Sequence, residues 1–383
     1  MMLHFEYLSK LKTKKIVFED AYAACDSATL EHLKELSSKR RAIEDSVNKS
    51  SFITEAIARE MFGGLESRYE QDIHKIEQYL PLLESFLSYA DATSNENQIA
   101  QWIAVLNTMT LKICWSSALR SSSFLNFMGP KLFQINNLRF ELGMILFLCG
   151  GIMRERALEV LPTDLVQSAT IFRQAAGIYH HLAQDVLPHL QPELPPEKPP
   201  EALAAVSTIM SLICLAEAQA VTIRKAEEKG TSSSLLAKLH HGVTLFLEEA
   251  IGIFHTVVTQ CKDISPCLLE FMCFCKCLHG LKGQQYHAES LKACGQIGAA
   301  IGVLSSALID VKKKIPREEP WKSNYQKQIQ DASEVLRKFG HENDFIWREK
   351  IPSGYEIPLS QGSKIVSFIP YSPKRWEGQL IFK

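Results

Sequence analysis

Residues Ala216–Leu247 read AEAQAVTIRKAEEKGTSSSLLAKLHHGVTLFL. Gly230 directly follows the last residue of a helical pattern, so a helix is predicted to stop there. Thr231, Ser232, Ser233 and Ser234 then supply candidate N-caps for a second helix. Leu235, Leu236 and Leu239 open that helix, with Leu235 and Leu239 at i and i+4 on one face. Two long helices joined by a short polar turn form an antiparallel hairpin.

Working outward, helical periodicity runs from about residue 26 to residue 338. Four helical segments are predicted after residue 200: 201–229, 233–260, 265–282 and 284–313. Stacked hairpins of this kind make a solenoid. The last segment carries Gly295, Gly298 and Gly302, each costing ~1 kcal/mol relative to alanine inside a helix, so close backbone packing is expected to compensate. Gly63-Gly64 and Gly150-Gly151 read as helix ends. Between Gln191 and Pro200 the sequence QPELPPEKPP forms a stiff connector that need not divide domains. Strand-like signals sit at the chain's two ends, at Ile16-Val17-Phe18 and at Lys364–Ile369, which predicts a small peripheral β-sheet. The fold class is mainly α, an elongated helical solenoid.

A formal net charge of -1 argues against nucleic acid as a partner. The sequence opens without a secretory signal pattern, and its ten cysteines form no framework, which points to a reduced cytoplasmic compartment. The longest uncharged apolar runs, 142–153 and 202–216, fall short of the ~18 residues of a transmembrane helix, so no transmembrane segment is expected. Residue 2 is Met2 and the chain closes on Leu380-Ile381-Phe382-Lys383, without a myristoylation glycine or a prenylation cysteine. Phosphate loops, dinucleotide fingerprints, metalloprotease helices and nucleophile elbows are missing. Cys267, Cys273, Cys275, Cys277 and His279 are close in sequence, but on a helix Cys275 points away from Cys273 and Cys277, so core cysteines are expected rather than a metal site. His180-His181 and His240-His241 diverge in the same way and read as polar contacts. Lys10–Lys15, Lys39-Arg40-Arg41 and Lys312-Lys313-Lys314 read as solvated faces, with weak attraction to an anionic membrane as the second reading. No cofactor and no catalytic residue is expected.

Two further segments stand in register with the opening stretch: FRQAAGIYHHLAQDVLPHL (Phe172–Leu190) and NDFIWREKIP (Asn343–Pro352). In order and spacing, the three resemble the Bro1 domain family, over roughly residues 70–369 and more weakly before about residue 130. The resemblance is greatest to members consisting of a Bro1 domain alone (Brox-like). It implies a curved body with tetratricopeptide-like hairpins, a single domain over residues 1–383, and a tail over 352–383 packed on that body. It also implies a non-enzymatic adaptor of the endosomal ESCRT pathway, acting in multivesicular-body sorting and recruited peripherally from the cytoplasm to endosomes. The implied partner is the C-terminal amphipathic helix of a Snf7-type ESCRT-III subunit, with peripheral membrane contact besides.

The positions matching the family's concave patch are Thr222, Lys225, Leu235 and Leu239. Lys225 would pair with a carboxylate of the incoming helix. Thr222 replaces a phenylalanine found in some long adaptors. Core packing is the competing reading of the two leucines. Trp347 stands where some relatives carry a phosphorylated tyrosine, so that signalling is not implied here; it reads as an aromatic anchor for the tail. A tetratricopeptide-like scaffold that binds other peptides without ESCRT-III contact is the alternative function.

Overall fold

The computed structural model describes residues 3–8, 11–22, 24, 26–49, 67–96, 111–121, 130–313, 315–316, 319–352 and 361–374. Gly63, Gly64, Lys10 and Lys314 lie outside the described residues. Helices α1 (Ser27–Lys49), α2 (Arg68–Glu96), α3 (Leu138–Val160), α4 (Leu165–His181), α5 (Ala204–Glu228), α6 (Ser233–Gln260), α7 (Pro266–Ala293), α8 (Ile297–Lys312) and α9 (Glu319–Glu342) follow in order. Each packs chiefly on its neighbours in sequence, as stacked hairpins do. The main apolar cluster runs from Leu3 to Phe339 and takes residues from both sides of the proline connector. That connector forms 3₁₀ turns at Gln191–Glu193 and Pro200–Ala202. Glu201 beside it is buried and accepts from the amides of Ala118 (2.7 Å) and Leu119 (2.9 Å).

The sheet lies elsewhere than the sequence suggested. It is antiparallel and two-stranded, β1 (Cys114–Ser116) against β2 (Leu132–Gln134), with Trp115 opposite Phe133. Ile16-Val17-Phe18 instead leads into the one-turn helix Phe18–Ala21, and the bridge to β1 comes from Thr13. Lys364–Ile369 is extended, but its hydrogen-bond partners are helices.

Three readings at glycines also change. Gly150 and Gly151 stand inside α3, where a β-carbon would press on the Tyr179 ring (2.8 Å) and on Leu8 (2.6 Å). The predicted break at residues 282–284 is absent: α7 continues through Gly283, which lies under the His240 side chain at 3.1 Å from a built β-carbon. Gly295 is not within α8. With φ of 78° it ends α7, while Gly298 and Gly302 do lie in α8 and admit the backbone of Lys350 and Pro352.

Arg40 belongs to no solvated face. It is fully buried, ion-paired to Glu141 and stacked 4.9 Å over Trp115, whose Nε1 donates to Glu141 at 2.7 Å. A buried charge persists only when paired in this way. Two helices, α5 and α6, are by length and composition long and apolar enough to cross a membrane. In the fold 89% of the apolar window of α5 is buried, as in a core helix, against 44% of that of α6.

Candidate functional site

Helix α5 ends as its sequence predicts. Gly230 has φ of 70°, its amide donates to Glu227 O (3.0 Å), and the amide of Thr231 reaches back to Ala226 O (3.1 Å). This is a Schellman termination, which needs the left-handed conformation that glycine adopts without penalty. Ser232 holds the N-cap position of α6, yet it makes no side-chain cap bond; Ser233 instead donates to Glu289 at 3.2 Å.

The four expected site residues fall on this hairpin with different exposures. Leu235 stands 46% exposed on the first turn of α6. Leu239, one turn on, is only 4% exposed, because α6 has by then come into contact with α5 and α7. Core packing is therefore where the fold puts Leu239, as the floor beneath Leu235. Thr222 is half-buried, and its hydroxyl donates to Ala218 O at 2.9 Å. Lys225 reaches outward and pairs with Glu228 at 3.3 Å. A water-facing pair of this kind is weak and readily exchanged for another carboxylate.

Under the hairpin lies a polar layer. His240 and His279 share a hydrogen bond at 3.0 Å between their Nδ1 atoms, and His240 stacks on Tyr286 with ring centroids 5.6 Å apart. Tyr286 donates to Glu227 at 2.6 Å. Burial pushes both histidines below the usual imidazole range, so they stand neutral. Beside His240 and under the Tyr286 hydroxyl, the Glu227 carboxyl is held down at about 2.

One wall of the site was not foreseen. The strap Ser363–Ile369 crosses α6, α5 and α4 in turn: Ser363 N donates to Lys238 O (3.0 Å), and Ile369 N to Arg173 O (3.0 Å). Gln219 ties strap and hairpin together. Its Nε2 donates to Leu239 O (2.7 Å) and Ser363 O (2.9 Å), and its Oε1 accepts from Ile365 N (2.9 Å). Gly177 and Gly242 make the approach possible, since a β-carbon there would meet Ile369 O at 1.8 Å and Ser363 O at 2.0 Å. A glutamine amid the apolar residues of α5, and glycines inside helices, were the available signals.

Trp347 does not anchor the tail: it is 49% exposed, and its Nε1 donates to Glu342 at 3.2 Å. Buried Asn343 holds that segment instead. Among the described residues no group of three or more His, Cys, Asp or Glu converges for a metal. Cys267, Cys275 and Cys277 are part-buried against the main apolar cluster. A cavity of ≈ 310 Å³ is lined by Leu8, Ile43, Ile76 and Leu148 with His4, Arg68 and Asp72, and by none of the four expected site residues.

The model of the BRO1-like domain matches residues 36–383. The chain is similar to human BRO1 domain-containing protein BROX, 24% identical over 329 residues, which is 82% of this chain and 76% of that protein. It also resembles human programmed cell death 6-interacting protein, 24% identical over 278 residues, covering 70% of this chain but only 30% of that longer protein. In structure it matches the BRO1 domain of ALIX solved in complex with CHMP4C, with a TM-score of 0.71 at 18% identity over 97% of this chain and 96% of that one. A Bro1 domain solved in a study of endosomal targeting gives a TM-score of 0.63 at 15% identity, over 97% and 94% of the two chains. At such identities these structures establish the fold, a helical body with a small sheet. The chain belongs to the BRO1-like domain family.

Proposed function

We propose that this chain, as one Bro1-like unit, is a non-enzymatic adaptor of the endosomal ESCRT pathway that receives the C-terminal helix of a Snf7-type ESCRT-III subunit. It would act in multivesicular-body sorting, recruited from the cytoplasm to endosomes. The observation carrying the proposal is Leu235: a large apolar side chain, 46% exposed at the head of α6, with Thr222 and Lys225 on α5 across the turn. An amphipathic helix needs such an apolar knob on the groove and a charge at its rim. The fold shared with an ALIX domain solved with CHMP4C supports that kind of partner.

The test is affinity for a synthetic C-terminal peptide of a Snf7-type subunit, measured beside thermal melting. Leu235→Asp should weaken binding by ~2 kcal/mol or more, roughly thirtyfold, and leave melting unchanged. Leu239→Asp should unfold the protein, since an unpaired carboxylate in the floor costs several kcal/mol. Lys225→Glu should act mainly at low salt. Full affinity in folded Leu235→Asp, or no affinity in the wild type, would discard the site in favour of a scaffold for other peptides.

A further inference from the structure

At the end of α9 the chain makes a π-helical turn, Asn343–Trp347, and reverses at Arg348, whose φ of 55° is left-handed for a residue with a β-carbon. Such a conformation persists only where its surroundings impose it. Here they do. Asn343 is buried, accepts from Glu349 N at 2.9 Å and donates to Glu349 O at 3.0 Å, while Arg348 N donates to Asn343 O at 2.7 Å. The Glu349 carboxylate in turn accepts from Gly298 N at 2.7 Å, which fixes the turn to the start of α8.

This fixed turn displays Phe345 at 73% exposure and Ile346 at 70%, with Trp347 and Ile351 about half exposed. Four large apolar side chains held in water within seven residues mark an interaction surface rather than folding. The charges around them are unequal. Glu342 is taken by Lys292, and Glu349 by Gly298 N. Asp344 is exposed, whereas Arg348 and Lys350, both exposed, have no ion-pair partner among the described residues. The fully exposed charges at the tip are Arg348 and Lys350 against Asp344, while the Glu349 carboxylate keeps its charge but is turned inward onto Gly298 N.

We propose that Phe345, Ile346 and Trp347 insert into the headgroup region of an anionic bilayer, with Arg348 and Lys350 on the lipid phosphates. A partner groove would ask for apolar residues three and four apart on one helical face. Consecutive residues of a helical turn fan out instead, which a fluid interface accommodates and a fixed groove does not. Tryptophan and phenylalanine beside basic residues are the composition of interfacial anchors. Both surfaces lie toward the C-terminal end of α7, where Ser233 bonds Glu289 and Lys292 pairs with Glu342, but they share no residue, and vesicle and peptide binding are read with different variants.

Co-sedimentation of the full chain with phosphatidylserine-rich vesicles tests it, against phosphatidylcholine alone. The wild type should partition onto the anionic vesicles, with a blue shift of tryptophan fluorescence that Trp347→Phe removes. Phe345→Ser with Ile346→Ser should lower the partition coefficient on the order of tenfold or more, at unchanged melting temperature, because both side chains already stand in water. Arg348→Glu and Lys350→Glu should each lower it about fivefold and flatten its salt dependence. No partitioning by the wild type, or equal partitioning by the doubly substituted tip, overturns the proposal. So does a soluble protein partner lost with the same variant when vesicles are not bound.

Discussion

Two extended segments lie on the helical body and are held in opposite ways. Leu3–Tyr7 is held by side chains: Leu3, Phe5 and Tyr7 alternate into the core, Phe5 stacks on Phe271 at 5.5 Å, and Tyr7 shares a hydrogen bond with Tyr179 at 2.8 Å. Beneath it Arg154 donates to Phe5 O at 3.1 Å and is clamped by buried Glu217, with Nε to Oε2 at 2.8 Å. Ser363–Ile369 is held by its backbone, which meets carbonyls, the Gln219 amide and two helix glycines. Its side chains are half exposed and add less, Phe368 stacking on His180 at 4.1 Å and Lys364 pairing with Glu249 at 2.7 Å. Anchoring by side chains writes itself into the anchored segment. Anchoring by the main chain writes itself into the surface that receives it.

The comparison breaks most sharply at Arg154. Arg154→Met leaves the Glu217 carboxylate buried and alone, and should cost about 3–5 kcal/mol in denaturant unfolding. Replacing both residues, Arg154→Met with Glu217→Leu, should recover most of that loss. A single variant as stable as the wild type would show that the N-terminal segment does not depend on this pair.

Gly177→Ala addresses the other segment. Alanine favours the helix by ~1 kcal/mol, but its methyl takes the space of Ile369 O. Melting should hardly change while amide exchange at residues 363–369 accelerates. Unchanged exchange would mean that the strap is held by its side chains after all.

The smallest expected effect sharpens the N-terminal side. Leu3 and His279 line one small cavity, and His279 and His240 have pKa values depressed by burial. The unfolded chain takes up these protons near pH 6.5, and the folded chain only at lower pH. Stability is therefore complete above about pH 6.5 and declines as pH falls below it. Glu227, held at about 2, adds a loss only below about pH 4.5. Melting temperature against pH should show this slope, and His279→Asn should flatten it. A flat wild-type profile between about pH 7 and 5.5 would contradict the buried neutral pair.

The same contrast explains what could be read from the sequence. The hairpin turn at Gly230 was legible because helix termination is local chemistry. The helix order was legible because each helix packs on its neighbours. The two three-residue strands were not: they are too short for a period, and they pair across residues that local patterns do not connect. Lys364–Ile369 has strand composition, but its ladder is completed by α4, α5 and α6. At the site, i and i+4 spacing puts Leu235 and Leu239 one turn apart on α6. It could not say that the face turns from solvent to core within one turn of α6. Arg40 misled because a run of three basic residues on a helix points in three directions, and one of them here meets Glu141.

Trp321 donates its indole N–H to His4 O at 2.8 Å, across 317 residues of sequence. On a ribosome adding ~5–20 residues per second, His4 waits roughly 15–60 s for that partner to be made. The segment around His4 thus cannot complete its contacts until residue 321 has been made. Until then the segment can pack on Arg154, Tyr179 and Phe271 but not on Trp321, and the nascent hairpins must hold together with that seam incomplete. A substitution in Leu3–Tyr7 should then leave early assembly untouched and reveal itself in the yield of finished chains.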